Sequence, residues 1–65
     1  MERFTEMEKV YLTPGQLAKM LSVSRQTIHN IVERREIPFF RVGKQVRFDP
    51  VTIEKWIADR TREVR

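Results

Sequence analysis

Apolar and polar residues recur along this chain in three helical patterns, and each pattern begins with the same signals. Thr13, Ser24 and Asp49 are residue types that cap helices, because their side-chain oxygens accept hydrogen bonds from the free N–H groups of the first turn. An apolar residue precedes each of them and another follows four positions later, the spacing of a hydrophobic staple. Proline follows Thr13 and Asp49 directly, at the position where a helix tolerates it best. The pattern therefore predicts three helix starts.

The apolar spacing also predicts how far each helix extends and which face it buries. The helices are expected over residues 14–21, 25–34 and 50–62. The side chains predicted to face inward are Leu17, Ala18 and Leu21, then Ile28, Ile31 and Val32, then Ile53, Trp56 and Ile57. Two residues alone, Ser22 and Val23, separate the first helix from the cap of the second. So short a join forces a sharp turn between two short helices, the helix-turn-helix arrangement.

Residues 37–48 predict a β-hairpin between the second and third helices. Pro38 ends the preceding helix, because it has no backbone N–H and keeps the residue before it extended. Two strand registers compete. A two-residue Gly43-Lys44 turn suits type II′ geometry, but it places charged and apolar side chains on shared faces.

A three-residue loop over residues 43–45 gives the second register. It pairs Val42 with Val46, Phe40 with Phe48 and Arg41 with Arg47. This register is the one we expect, because it gathers the apolar side chains on one face and the arginines on the other. It leaves Gly43 outside the usual left-handed position of such a loop.

Composition restricts the class of protein. Sixty-five residues form at most one small domain, and a hydrophobic content of 40% is enough for a compact core. We expect residues 1–10 to be a flexible arm and residues 11–65 to form the domain, frayed after about residue 60. There is no cysteine and no apolar run long enough to span a membrane, so neither disulfides nor a membrane partner is expected. Little room remains for a buried pocket, so we expect no enzyme, no cofactor and no small-molecule ligand.

The net charge of +4 is concentrated in one part of the chain. Residues 24–48 hold six basic and two acidic side chains, whereas the other forty residues hold seven of each sign. A basic segment on an otherwise neutral scaffold is typical of a protein that binds a polyanion such as nucleic acid.

The ordered set of motifs resembles a known family. The first short helix begins after a Thr cap and is followed by Leu-x-Val-Ser. The second helix begins with Ser-Arg-x-Thr-apolar, whose Ser is the last residue of the preceding motif. Ile-Pro, Arg-Val-Gly-x-x-apolar-Arg and a final helix with Trp then follow. The stretch YLTPGQLAKMLSVSRQTIHNIVERREIPFFRVGKQVRFDPVTIEKWI, 47 of the 65 residues, is similar to the excisionase-type, MerR-like winged helix-turn-helix family of small bacterial and phage DNA-binding proteins.

This resemblance implies a mainly α fold with a small β-hairpin, a winged helix-turn-helix. It also implies a recombination directionality factor or a small transcriptional regulator that binds double-stranded DNA, with neighbouring copies of itself or a recombinase as further partners. The family usually has Gly near the end of the second helix, where this chain has Arg35. A left-handed Arg35 costs on the order of 1 kcal/mol; a phosphate contact could compensate, or the helix could run further.

The outer face of the second helix, residues 24–34, carries side chains suited to the major groove. Arg reads guanine, and Asn and Gln read adenine, through paired hydrogen bonds. The candidates for base reading are Arg25, Gln26, His29 and Asn30, and those for phosphate contact are Ser24, Thr27, Arg34 and Arg35. Ser24 and Thr27 also suit capping. An ordinary solvated helix face is the competing interpretation.

The hairpin over residues 39–48 is the expected wing, on the adjacent backbone or minor groove. Its candidates for DNA contact are Arg41, Lys44 and Arg47. The competing interpretation is an edge hairpin whose charges prevent strand-to-strand aggregation. Trp56 is expected in the core, because its spacing from Ile53 and Ile57 is helical. His29 is the only histidine, so no metal site is expected. The sequence contains no base paired with a nucleophile, so catalysis is not expected.

The leading functional hypothesis is sequence-specific binding of double-stranded DNA by a cytoplasmic, nucleoid-associated protein. The alternative is an adaptor that keeps the winged fold and binds an acidic partner protein. An exposed apolar patch would favour the adaptor. Met20, Phe39 and the Met7–Tyr11 segment are the candidates for such a patch, and they are scattered along the sequence.

Overall fold

The computed structural model describes residues 10–61. These residues contain three α-helices and one two-stranded antiparallel sheet. In chain order the elements are α1 (Pro14–Leu21), α2 (Arg25–Glu33), β1 (Phe40–Val42), β2 (Gln45–Arg47) and α3 (Pro50–Thr61). The predicted architecture, mainly helical with a small hairpin as wing, is confirmed. The predicted arm, apart from its last residue, and the predicted fraying beyond residue 61 lie outside the described residues.

Side-chain caps hold the predicted helix starts. Thr13 and Gln16 form a capping box: the Thr13 hydroxyl accepts the Gln16 N–H at 3.1 Å, and the side-chain carbonyl of Gln16 accepts the Thr13 N–H at 2.9 Å. Ser24 Oγ accepts the N–H of Thr27 at 3.0 Å, and Asp49 Oδ1 accepts that of Val51 at 2.9 Å. These bonds satisfy N–H groups that have no partner within the first turn.

Left-handed residues follow both helices of the helix-turn-helix. Ser22 has a φ of 60° after α1, and Arg35 has a φ of 57° after α2. In each case the N–H of the next residue reaches back into the last turn, from Val23 to Ala18 O and from Glu36 to Ile31 O, both at 2.9 Å. This is the Schellman motif, in which Gly usually occupies the left-handed position. The structure thus decides the question left open for Arg35, which ends the helix instead of extending it.

The core lies between the three helices and the residues that flank the hairpin. Its buried side chains are Leu17, Ala18, Ile28, Val32, Ile37, Phe48 and Ile53, and the partly buried Leu21, Ile31, Trp56 and Ile57 pack against them. The indole N–H of Trp56 donates to the carbonyl of Glu36 at 3.0 Å, which ties α3 to the turn after α2. Within residues 10–61 no helix is both long and apolar enough to cross a membrane.

The expected hairpin register is wrong. Phe40 lies opposite Arg47, Arg41 opposite Val46, and Val42 opposite Gln45, so the turn is the two-residue Gly43-Lys44 turn. Gly43 has a φ of 64° while Lys44 does not have a positive φ, as a type II′ turn requires.

Two physical reasons favour the observed register. The three-residue loop would place the left-handed residue at Gln45 instead of glycine. Phe48 also forms a backbone bridge with Leu12, with both N–H···O distances at 2.9 Å, so it is paired on the side away from Phe40. As a consequence, Phe40 and Val42 point away from the face that carries Val46 and Phe48.

Candidate nucleic-acid interface

The outer face of α2 is exposed along its whole length. Ile28 and Val32 turn inward, which leaves the four predicted base-reading residues on the solvent side. These are Arg25, Gln26, His29 and Asn30, and all four are exposed. The three residues between α1 and α2 contain the left-handed Ser22 and the cap Ser24, so the start of α2 lies beside α1.

The polar side chains of this face contact one another one turn apart. Gln26 Nε2 donates to Asn30 Oδ1 at 3.1 Å. The His29 ring lies 3.8 Å from the carboxylate of Glu33, and both side chains are well exposed. These pairs restrain side chains that would otherwise sample many rotamers, so the face presents a partly ordered set of donors and acceptors.

Arg25 lies against α1. Its guanidinium occupies the space in front of the Gly15 Cα: a Cβ on Gly15 would lie 2.8 Å from Nη2 and 3.0 Å from Nε of Arg25. Gly15 was not among the residues predicted from the sequence. A usable signal was present, since glycine is unfavourable inside a helix unless something needs the space.

The predicted phosphate-contacting residues lie at the two ends of α2. At its start, the hydroxyls of Ser24 and Thr27 lie 3.0 Å apart, and Ser24 caps the helix. At its end, Arg34 is the last residue before the turn, Arg35 is the left-handed residue, and both are exposed. The capping role foreseen for Ser24 is therefore present.

The structure separates the cations of the wing. Lys44 is exposed at the tip of the turn. Arg41 is exposed and its guanidinium carbon lies 5.5 Å from the centre of the Phe39 ring. Arg47 is half-buried and donates from Nη1 to the carbonyl of Val46 at 2.7 Å. Arg47 lies opposite Phe40, and the residue after Phe40, Arg41, points to the other face of the hairpin. The expected pair of facing arginines therefore does not exist.

A small apolar cluster also lies on the outer face of the hairpin. The rings of Tyr11 and Phe40 meet edge to face with centroids 5.3 Å apart, and Val42 is exposed two residues further along β1. Among residues 10–61, no group of three or more His, Asp or Glu side chains lies close enough to hold a metal ion.

A protein-family model described as a helix-turn-helix domain matches residues 11–61. This range includes α1, α2, the hairpin and α3. No curated protein and no solved structure matches the chain.

Proposed function

Since the chain belongs to the helix-turn-helix domain family, we propose that it binds a specific sequence of double-stranded DNA. Membership of this family supports DNA binding in general. In this proposal α2 enters the major groove and the hairpin lies on the adjacent backbone or minor groove. Helices α1 and α3 hold these two parts in position through the shared core.

The exposed face of α2 is the observation that carries this proposal. A helix of this width fits the major groove, and its N-terminal residues approach the base edges most closely. Gln26 and Asn30 provide amide donors and acceptors, and Arg25 provides a guanidinium fork for guanine. His29 lies on the same face, with one ring nitrogen near Glu33.

Exposed cations at the end of α2 and on the hairpin supply the contacts to phosphate in this proposal. Arg34 and Arg35 lie at the end of α2, and Arg41 and Lys44 lie on the hairpin. On the hairpin, Arg41 is the better phosphate ligand, because its side chain is exposed, whereas Arg47 is half-buried and donates to a backbone carbonyl. Ser24 and Thr27 add hydroxyl contacts at the start of α2. Contacts of this kind set the register on the duplex without reading sequence.

The dependence of affinity on salt tests DNA binding. With about four neutralised phosphates, log affinity plotted against log salt should have a slope of roughly −3 to −4. Fluorescence anisotropy with labelled duplex DNA at several salt concentrations measures it. Lys55→Gln is a matched control, because it removes one positive charge from α3, outside residues 24–48, and should leave the slope unchanged. A flat salt response, or equal affinity for duplex DNA and polyglutamate, would contradict the proposal.

Two biological roles fit a small DNA-binding protein of this kind. From the resemblance to excisionase-type proteins we infer that this chain acts by placing a bend or a neighbouring protein on DNA, as a recombination directionality factor or a small transcriptional regulator. Neighbouring copies of the chain, or a recombinase, are the partners that fit this role, and its place would be in the cytoplasm with the nucleoid. An integrase gene beside the coding gene would favour recombination.

The adaptor alternative rests on the cluster formed by Tyr11, Phe40 and Val42. A groove of about 380 Å³ beside it is lined in part by Tyr11 and Phe40. Patches of this kind mark protein contacts when they are large, and this one has three exposed side chains. Phe40→Ser would abolish binding to a partner protein and leave DNA affinity unchanged if the adaptor hypothesis were correct.

A further inference from the structure

Gly15 and Arg25 fit together across the helix-turn-helix. Gly15 is the second residue of α1, and Arg25 is the first residue of α2. A Cβ on Gly15 would lie 2.8 Å from Nη2, 3.0 Å from Nε and 3.1 Å from Cζ of Arg25. Three guanidinium atoms are therefore closer to this point than van der Waals contact allows. The flat guanidinium group lies directly over the bare Cα of Gly15.

The backbone gives no reason for glycine at this position. The φ of Gly15 is not in the left-handed region, unlike that of Gly43. Glycine in a helix is less favourable than alanine, because the unfolded chain loses more conformational freedom when it folds. What distinguishes position 15 is the absence of a side chain, and the space this leaves is filled by Arg25.

Arg25 has no other anchor in the described part of the chain. Within residues 10–61 its guanidinium forms no hydrogen bond and no ion pair with a side chain, and Arg25 is exposed. The guanidinium lies instead in the open space over Gly15. An arginine that already lies near its bound position loses less conformational freedom when it binds, which favours both affinity and a single geometry.

We propose that Gly15 is a positioning residue for Arg25: its missing side chain leaves room for the guanidinium beside α1, and from this position Arg25 meets the edge of one base pair. This inference rests on the proposed function, and it adds a specificity-determining residue that does not itself touch a base. A side chain at position 15 would displace the guanidinium, so that Arg25 would no longer meet the same base pair.

The test is a double-mutant cycle with Gly15→Ala and Arg25→Ala. The probes are the duplex selected from a random library by the unmodified chain and a scrambled duplex of equal length. Gly15→Ala should weaken binding to the selected duplex by about fivefold or more, a substantial part of one bidentate arginine contact. In the Arg25→Ala background, Gly15→Ala should change affinity by less than about twofold, because the displaced group is gone.

Folding is measured separately by thermal melts. The atoms that would clash belong to the far end of a flexible side chain, so both single variants should fold. Gly15→Ala should have an equal or higher melting temperature, because alanine favours the helix. Gly15→Ser, with a side chain of similar size, serves as a second variant and should lose affinity in the same way.

The outcomes separate this inference from the proposed function. If the unmodified chain selects no duplex, the proposed function fails. If it selects one but Gly15→Ala binds that duplex equally well, the role of Gly15 is overturned. The same conclusion follows if Gly15→Ala weakens binding by one factor whether Arg25 is present or replaced by alanine, since its effect would then be independent of the guanidinium.

Discussion

Gln26 donates a hydrogen bond from its side-chain amide to the side-chain carbonyl of Asn30, one helical turn further along α2, at 3.1 Å. This bond leaves the side-chain carbonyl of Gln26 free to accept and the amide of Asn30 free to donate. One acceptor and one donor are what the major-groove edge of adenine requires, since adenine offers an amino donor and the N7 acceptor. We therefore propose that the two residues read one adenine together.

The first prediction concerns this pair of residues. Gln26→Ala and Asn30→Ala should each weaken binding to the preferred duplex by about 1–3 kcal/mol. The double variant should lose clearly less than the sum, because either single change already breaks the shared arrangement. Anisotropy titrations of the three variants measure the coupling, with Lys55→Gln as the control. Additive losses would mean that the two residues read separate base pairs.

The second prediction uses the two left-handed positions. Ser22→Gly and Arg35→Gly should each stabilise the free protein by roughly 1 kcal/mol, because glycine adopts positive φ without the steric cost of a Cβ. In a domain of this size, that corresponds to a rise in melting temperature of about 4–8 °C. Thermal melts of both variants test it.

DNA binding should distinguish these same two variants. Arg35→Gly should reduce the magnitude of the salt slope by about one, the result of a lost phosphate contact. Ser22→Gly has the same backbone effect and removes no charge, so it is the matched control and should leave the slope unchanged. An unchanged slope in Arg35→Gly would show that the left-handed arginine is not maintained for a phosphate contact.

The third prediction follows from the observed hairpin register. Facing arginines would repel each other, and removing one would stabilise the protein. In the observed register Arg47 instead faces Phe40 and donates to the Val46 carbonyl, so Arg47→Gln should destabilise the free protein by about 0.5–1.5 kcal/mol. Arg41→Gln should leave stability nearly unchanged and reduce the salt slope by about one. A more stable Arg47→Gln protein would contradict the register.

The fourth prediction concerns the attachment of α3 to the turn after α2. Trp56→Phe keeps an aromatic ring and removes the N–H that the Glu36 carbonyl accepts. Loss of this bond should destabilise the protein by about 0.5–1.5 kcal/mol. Arg60→Ala is the control for the other contact of the ring, since its guanidinium carbon lies 4.7 Å from the ring centre. Equal stability of Trp56→Phe and the unmodified chain would show that the hydrogen bond contributes nothing.

Local chemistry made the helices predictable. Thr13, Ser24 and Asp49 bond to N–H groups two or three residues away, so their caps follow from sequence spacing alone. The predicted start and end of α1 agree with the structure, and the predicted second helix exceeds α2 by the one residue Arg34. The helix-turn-helix was predictable because the join between α1 and α2 is too short for another arrangement.

The hairpin register and the position of Arg25 depend on contacts between distant residues. Phe48 bonds to Leu12, which lies in a different part of the sequence, and alternation within a three-residue strand does not reveal that bond. The contact of Arg25 with Gly15 depends on the rotamer of a long side chain and on the angle between two helices. Neither quantity can be obtained from residue type and spacing.

Selection from a random duplex library tests most directly the claim that α2 reads DNA sequence. The experiment compares the unmodified chain with the variant that carries both Gln26→Ala and Asn30→Ala. The unmodified chain should enrich one motif, and the variant should bind with the preference lost at one or two adjacent base pairs of that motif. No enriched motif for the unmodified chain, or the same motif from both proteins, would contradict the claim.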